Sequence, residues 1–369
     1  SFFAKLTMWS PIKSLIKRVP IVGAHLSRRE QSRGATLNYN TWASGLGMVS
    51  LLISSQLHEN SSCATSDSLI TNKNKIKQLR ENLRDLLESS DEAQWLDDGD
   101  FTLNRFLVSR NCDVSEAESM FRSTVAWRSR YHIREEYDTW KENNSEEKHL
   151  AKIYGYASRS GYTEDGSPLN IERVGQYDVG GCVRIPGMTD VVSKAYIMYM
   201  EESFRAVREV SLEKDRYIRC KVVTDAKGVG LAHIKHSQLM RDVIAIGQKN
   251  YPEIVQSVLV VRAPVAMYTL WNFGVKWVLN ERVKKKVFIC RKNYDSKLQQ
   301  LSIDRKDLPK FLDGTLCDSH ICQAKPLPKT ILFVPPVSAY GRETPLVQPR
   351  LSVREGMSNM AAWATAAAD

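Results

Sequence analysis

Catalytic signatures are missing from this chain. It contains no Gly-x-Ser-x-Gly, no phosphate loop ending in Gly-Lys-Ser/Thr, no His-Glu-x-x-His and no Gly-x-Gly-x-x-Gly after a strand. Serine-hydrolase, P-loop, zincin and dinucleotide chemistry therefore lose their sequence support, and the expectation is a protein that is not an enzyme. Cysteine is sparse: Cys63, Cys112, Cys182, Cys220, Cys290, Cys317 and Cys322 are odd in number and form no Cys-x-x-Cys pair. That argues against a disulfide framework and a zinc site and suits a reducing compartment. Cys290, in an apolar run, reads as a small core hydrophobe. His233 and His236 lack acidic or cysteine neighbours, so no metal site is expected. The glycines of DAKGVG (Asp225 to Gly230) suit a tight strand-to-helix turn, and no internal repeat is visible.

With 43% hydrophobic and 25% charged residues over 369 positions, the composition is that of a globular protein. The net charge of +10 is unevenly spread. Through residue 57 the only acid is Glu30, against Lys5, Lys13, Lys17, Arg18, Arg28, Arg29 and Arg33. The remainder is mildly basic and shows no nucleic-acid stripe.

Residues 1–33 have the basic, acid-poor make-up of a mitochondrial targeting segment, with any cleaved presequence expected before Ser1. Ser10 and Pro11 are placed to start a short amphipathic helix with Ile12, Leu15 and Ile16 on one face. Residues 34–57 carry no charge and leave two readings open: a single membrane span, or a Gly/Ser-rich segment packed on a partner.

Four regions follow: an extension and linker over 1–67, a helical unit over 68–150, an α/β domain over 151–318, and a Pro-rich extended arm over 319–369. In the second, Ile76, Leu79, Leu83, Leu86 and Leu87 recur at helical spacing up to Ser89-Ser90. Asp100 is the expected N-cap of the next helix, and Asp113 with Glu116 forms a capping pair. Beyond Lys152, LNIERV, YIRCKVVTDAKGV, VQSVLVVRAP and KKVFIC alternate with helical stretches, as in an α/β sheet. EDGSP, at Glu164 to Pro168, is a hairpin signal. Met267, Leu270, Trp271, Gly274, Trp277 and Val278 recur at helical intervals on an unusually apolar helix.

FLVSRNCDVSEAESMFRSTVAWR is followed in order by DGSPLNIERVGQYD, VVTDAKGVGLAHI, IGQKNYPEIVQSVLVVRAP, MYTLWNFGVKWVLNERVKKKVFIC and LPKFLDGT. From Phe101 to Asp318 these blocks resemble, in the same order, those of the CRAL-TRIO family, the first being similar to its N-terminal helical motif. The resemblance implies a helical subdomain, a β-sheet floor under a lipid-sized cavity, and an amphipathic gate helix that opens at a membrane, with Trp271, Phe273 and Trp277 as membrane contacts. It also implies a head-group site at Arg110, Glu253 and Lys286. Cationic donors suit a phosphate, and a carboxylate can accept inositol hydroxyls or orient the lysine. Three positions depart from the family pattern: Asn111, Val283 and Leu312-Asp313-Gly314. Tyr154, Tyr156, Tyr177, Tyr196 and Tyr199 are candidates to line the cavity.

Two functions follow as expectations. One is a lipid-binding protein of the mitochondrial inner membrane, or a peripheral membrane protein of the cytoplasm. It would carry no cofactor beyond a bound phospholipid or isoprenoid. The other is an accessory subunit of a respiratory-chain or ATP synthase complex, its tails held by partner proteins. Lipid, membrane and other subunits are the expected partners, and nucleic acid is not.

Overall fold

The structure is a computed structural model that describes residues 69–97, 99–142, 148, 151, 158–272 and 285–317. All of them belong to one compact unit. The helices are α1 (Leu69–Asn82), α2 (Arg84–Ser89), α3 (Asp91–Leu96), α4 (Asp100–Ser109), α5 (Val114–Arg130) and α6 (Ile133–Glu142). After them come β1 (Ser158–Tyr162), β2 (Pro168–Glu172), α7 (Val179–Arg184), α8 (Met188–Glu213) and β3 (Cys220–Asp225). The remaining elements are α9 (Leu231–Lys235), α10 (Ser237–Asn250), β4 (Val255–Val261), α11 (Val265–Leu270), β5 (Val287–Ile289) and α12 (Asp295–Gln300).

Local chemistry sets the boundaries. The Glu116 N–H donates to the Asp113 carboxylate at 2.9 Å, the expected cap of α5. The cap of α4 differs from expectation. Gly99, at φ +86°, takes the position before the helix, and Asp100 is the first helical residue. There its carboxylate meets the helix N-terminus and accepts from Arg80 at 3.2 Å. The Asp-Gly turn closes β1 onto β2: Gly166 sits at φ +81°, and the Thr163 N–H donates to Ser167 O at 2.9 Å.

The five strands lie in sequence order, with β1 antiparallel to β2 and β2 to β5 parallel. Helical crossovers that step the same way with the same hand stack on one face of such a sheet. Side chains alternate accordingly. Cys220, Val222, Val258 and Val260 share a core with Phe106, Phe121 and Phe204 of α4, α5 and α8. Leu169, Ile171, Val223, Leu259 and Val261 face Leu298, Ile303, Leu308 and Leu312 of the C-terminal elements. The helical segment and the sheet are therefore joined by continuous packing.

A buried polar cluster also ties the helical segment to α8. Arg128 of α5 is buried and donates to both Glu201 carboxylate oxygens, at 2.7 and 3.0 Å, and to Glu92. The Tyr251 hydroxyl and Arg205 Nε complete the shell of Glu201, at 3.1 and 3.0 Å. Burial penalises the Glu201 charge, but Arg128 more than offsets this and holds its pKa below the usual carboxylate range.

Cysteine departs in part from expectation. Cys112 is disulfide-bonded, whereas Cys182, Cys220 and Cys290 are free; Cys290 is half-buried beside the C-terminal cluster. Residues 1–67, the candidate span 34–57, and the arm over 319–369 lie outside the described residues. Among the described residues no helix is long and apolar enough to cross a membrane.

Candidate functional site

Parallel strands carry the polypeptide in one direction, so residues just before β3, β4 and β5 collect at one edge of the sheet. Those residues are Arg219, Glu253 and Lys286. Lys286 Nζ lies 3.0 and 3.3 Å from the two Glu253 carboxylate oxygens. Arg219 donates to the nearer of the two at 3.2 Å. The side chains of Glu253, Lys286 and Arg219 keep 7%, 9% and 17% of their exposure. The cluster is thus sheltered, yet open on the arginine side.

Glu253 is held in an unusual backbone conformation, with φ +52°, which costs a non-glycine residue about 1 kcal/mol. Arg105 of α4 supports it by donating to the Glu253 carbonyl at 3.0 Å. The same guanidinium donates to Ile218 O at 2.7 Å and stacks 4.8 Å from the Tyr217 ring centroid. Arg105 therefore ties together the turns that enter β3 and β4.

Of the three residues singled out in the sequence, Glu253 and Lys286 meet. Arg110 is half-buried at the C-terminal cap of α4, and the acid acting on it is Glu116. Burial, only partly opposed by Glu116, pushes its pKa below the ordinary guanidinium value. Trp271 is 3% exposed and packs into the main core with Met267, Val287 and Ile289. Phe273 and Trp277 lie outside the described residues, as do Tyr154 and Tyr156. Arg219 and Arg105 escaped the sequence reading. Arg219 immediately precedes a strand, and Arg105 sits on a helix dense with apolar residues, so neither carries a motif.

A second polar group lies on the helix-facing side of the sheet. Glu172, at the end of β2, accepts from the Thr224 hydroxyl at 3.1 Å and from the Tyr199 hydroxyl at 3.4 Å. Burial raises its pKa against those two hydrogen bonds. Burial likewise raises Tyr196 and Tyr199 and pushes the Cys220 thiol up to about 12. Tyr177 and Tyr199 are buried and Tyr196 is half-buried. His233 meets the Val174 carbonyl at 3.0 Å. Among the described residues, no group of three His, Cys, Asp or Glu side chains is arranged to hold a metal.

Comparison with known proteins gives the family of this region. Residues 153–314 match the family profile of the CRAL/TRIO domain. These residues are a CRAL-TRIO domain. The chain is 25% identical over 237 residues to CRAL-TRIO domain-containing protein T23G5.2 of Caenorhabditis elegans, covering 63% of this chain and 32% of that one. It is 29% identical over 229 residues to phosphatidylinositol/phosphatidylcholine transfer protein SFH12 of Arabidopsis thaliana, covering 59% and 40%. It is 23% identical over 356 residues to protein real-time of Drosophila pseudoobscura pseudoobscura, covering 94% and 51%. The chain therefore spans from a third to a half of the length of these relatives. A crystal structure of Sfh5 aligns with a TM-score of 0.45 at 15% identity, over 63% of this chain and 83% of that one. The CRAL-TRIO domain supplies the sheet floor, and the Glu253–Lys286 pair lies at its edge.

Proposed function

We propose that this protein binds an anionic phospholipid without enzymatic chemistry, holding the head group at the Lys286–Glu253 pair. The observation that carries the reading is this sheltered ion pair at the start of two parallel strands in a CRAL-TRIO domain. Lys286 supplies a cationic donor for a phosphodiester oxygen. Glu253 orients the lysine and accepts from hydroxyls of the head group, as a polyol such as inositol would offer. The relative SFH12 is named a phosphatidylinositol/phosphatidylcholine transfer protein, which supports inositol lipid as the first ligand to try. In a vesicle assay, wild-type protein is expected to move labelled phosphatidylinositol between membranes. Failure to extract any phospholipid from donor vesicles would contradict the reading.

The proposed site of action is the mitochondrial inner membrane. The basic, acid-poor residues 1–33 and the uncharged stretch 34–57 support it. The same segments support a second reading, an accessory subunit of a respiratory-chain or ATP synthase complex that keeps a lipid as filler. Gentle extraction of mitochondrial membranes separates the two. Stoichiometric recovery in a complex favours the subunit, and a free lipid-loaded chain favours the carrier.

A further inference from the structure

Lys286 and Glu253 together carry no net charge, which suits a hydroxyl-rich head group bearing a single phosphodiester. Arg219 changes that sum. It places a second cation on the same carboxylate oxygen that Lys286 uses, at 3.2 Å against 3.0 Å. The three side chains then total +1. Redundancy at Glu253 is the first sign that Arg219 serves something else. If the guanidinium left the carboxylate, Lys286 would still neutralise it.

The geometry of Arg219 is the second sign. A guanidinium has five N–H donors in a planar fork, and the ion pair of Arg219 with Glu253 uses a single nitrogen. Its position is held by the Tyr217 ring, whose centroid is 5.6 Å away, and that ring is itself fixed under the buried Arg105. The side chain is the most exposed of the three, at 17%. A restrained, partly solvated guanidinium beside a lysine is the group that binds a phosphate through two parallel hydrogen bonds.

We infer that Arg219 makes this site selective for an inositol head group carrying a phosphomonoester in addition to the diester that links it to the lipid. This rests on the head-group reading of Lys286 and Glu253 and names the class of ligand it favours. A diester carries one negative charge, whereas a monoester adds about 1.5 to 2 near neutral pH. Lys286 meets the first phosphate, and Arg219 swings its free edge onto the second. Because the second ionisation of a monoester lies near pH 6, the preference weakens as pH falls below about 6 and the ligand loses charge.

The test uses the full chain with vesicles containing either phosphatidylinositol 4-phosphate or phosphatidylinositol, read as the ratio of the two affinities. A general loss of folding lowers both and leaves the ratio alone. Wild-type protein is expected to prefer the phosphorylated lipid by about tenfold. Arg219→Gln should bring the ratio close to one, and Arg219→Lys should restore part of it. A ratio near one for wild-type protein, or one unchanged in Arg219→Gln, overturns the inference while leaving the head-group site standing. No retention of either lipid overturns that site as well. Soluble inositol 1,4-bisphosphate separates the sources: weak competition supports a lipid ligand. Competition as strong as that of the vesicles would overturn the lipid assignment in favour of a free inositol phosphate.

Discussion

Two ionic clusters in this molecule use the same chemistry to opposite ends. The Arg128 cluster lies between the helical segment and α8, with Arg128 and Glu201 side chains at 0% exposure. Glu201 is surrounded there by Arg128, Arg205 and Tyr251, and the Trp95 ring lies 4.9 Å from Arg128. The Glu253 cluster lies at the sheet edge, where Arg219 keeps the most exposure of the three side chains and, among the described residues, gives one nitrogen to Glu253. A sealed network with its acceptors satisfied holds two parts of a fold together, but it has nothing to offer a ligand. An edge cluster with spare donors stabilises little and can bind.

The largest predicted effect tests the sealed cluster. Arg128→Met leaves Glu201 and Glu92 buried without their main counter-charge, and removing one partner of a buried pair costs about 3–5 kcal/mol. Denaturant unfolding should show that loss. The double variant Arg128→Met/Glu201→Leu should recover part of it, because the more deeply buried of the two carboxylates is no longer a stranded charge.

The edge cluster should show the reverse balance. Lys286→Ala is expected to lower head-group affinity tenfold or more, about 1.4 kcal/mol, while costing no more than about 1 kcal/mol of stability. Arg219 still neutralises Glu253 in that variant. Similar stability losses in Arg128→Met and Lys286→Ala would break the contrast.

A smaller effect concerns pH. The folded pKa of Glu172 is raised by burial, so the folded state holds its proton to higher pH than the unfolded state. Stability must then fall as pH rises from the unfolded value, about 4.3, through the folded one. Glu172→Gln should flatten that slope in unfolding curves measured as the pH is raised from that unfolded value.

The smallest effect lies on the acid side. Lys221, buried at 1% exposure, donates to Asp165 at 2.6 Å and to Leu301 O at 2.6 Å. Burial opposes ionisation of Asp165, but the hydrogen bond from Lys221 and others lower its pKa to about 2. The stability it contributes is complete above the unfolded value, about 3.9, and is lost as pH falls toward about 2. Asp165→Asn should remove this dependence and soften acid unfolding, read from unfolding curves below the unfolded value.

The parts legible in the sequence were those with local causes. The cap at Asp113, the Asp-Gly hairpin and the β-branched strands follow from neighbouring residues, and the CRAL-TRIO blocks pointed to the domain that residues 153–314 match. The site was legible only where a motif marked it, as the Tyr-Pro step marks Glu253. Arg105 and Arg219 reach it through contacts between distant segments, Arg105 bridging 148 positions to Glu253. Periodicity cannot reveal such pairings. Asp100 misled for a different reason: Asp suits both the cap and the first turn of a helix, and Gly99 took the cap.

Native mass spectrometry of the full chain tests the central claim most directly, comparing wild-type protein with the charge-neutral variant Glu253→Gln/Lys286→Met. The account predicts that wild-type protein carries an anionic phospholipid and the variant does not, while both unfold within a few degrees of each other, about 1 kcal/mol for a domain of this size. Equal retention of the same lipid by both proteins would contradict it.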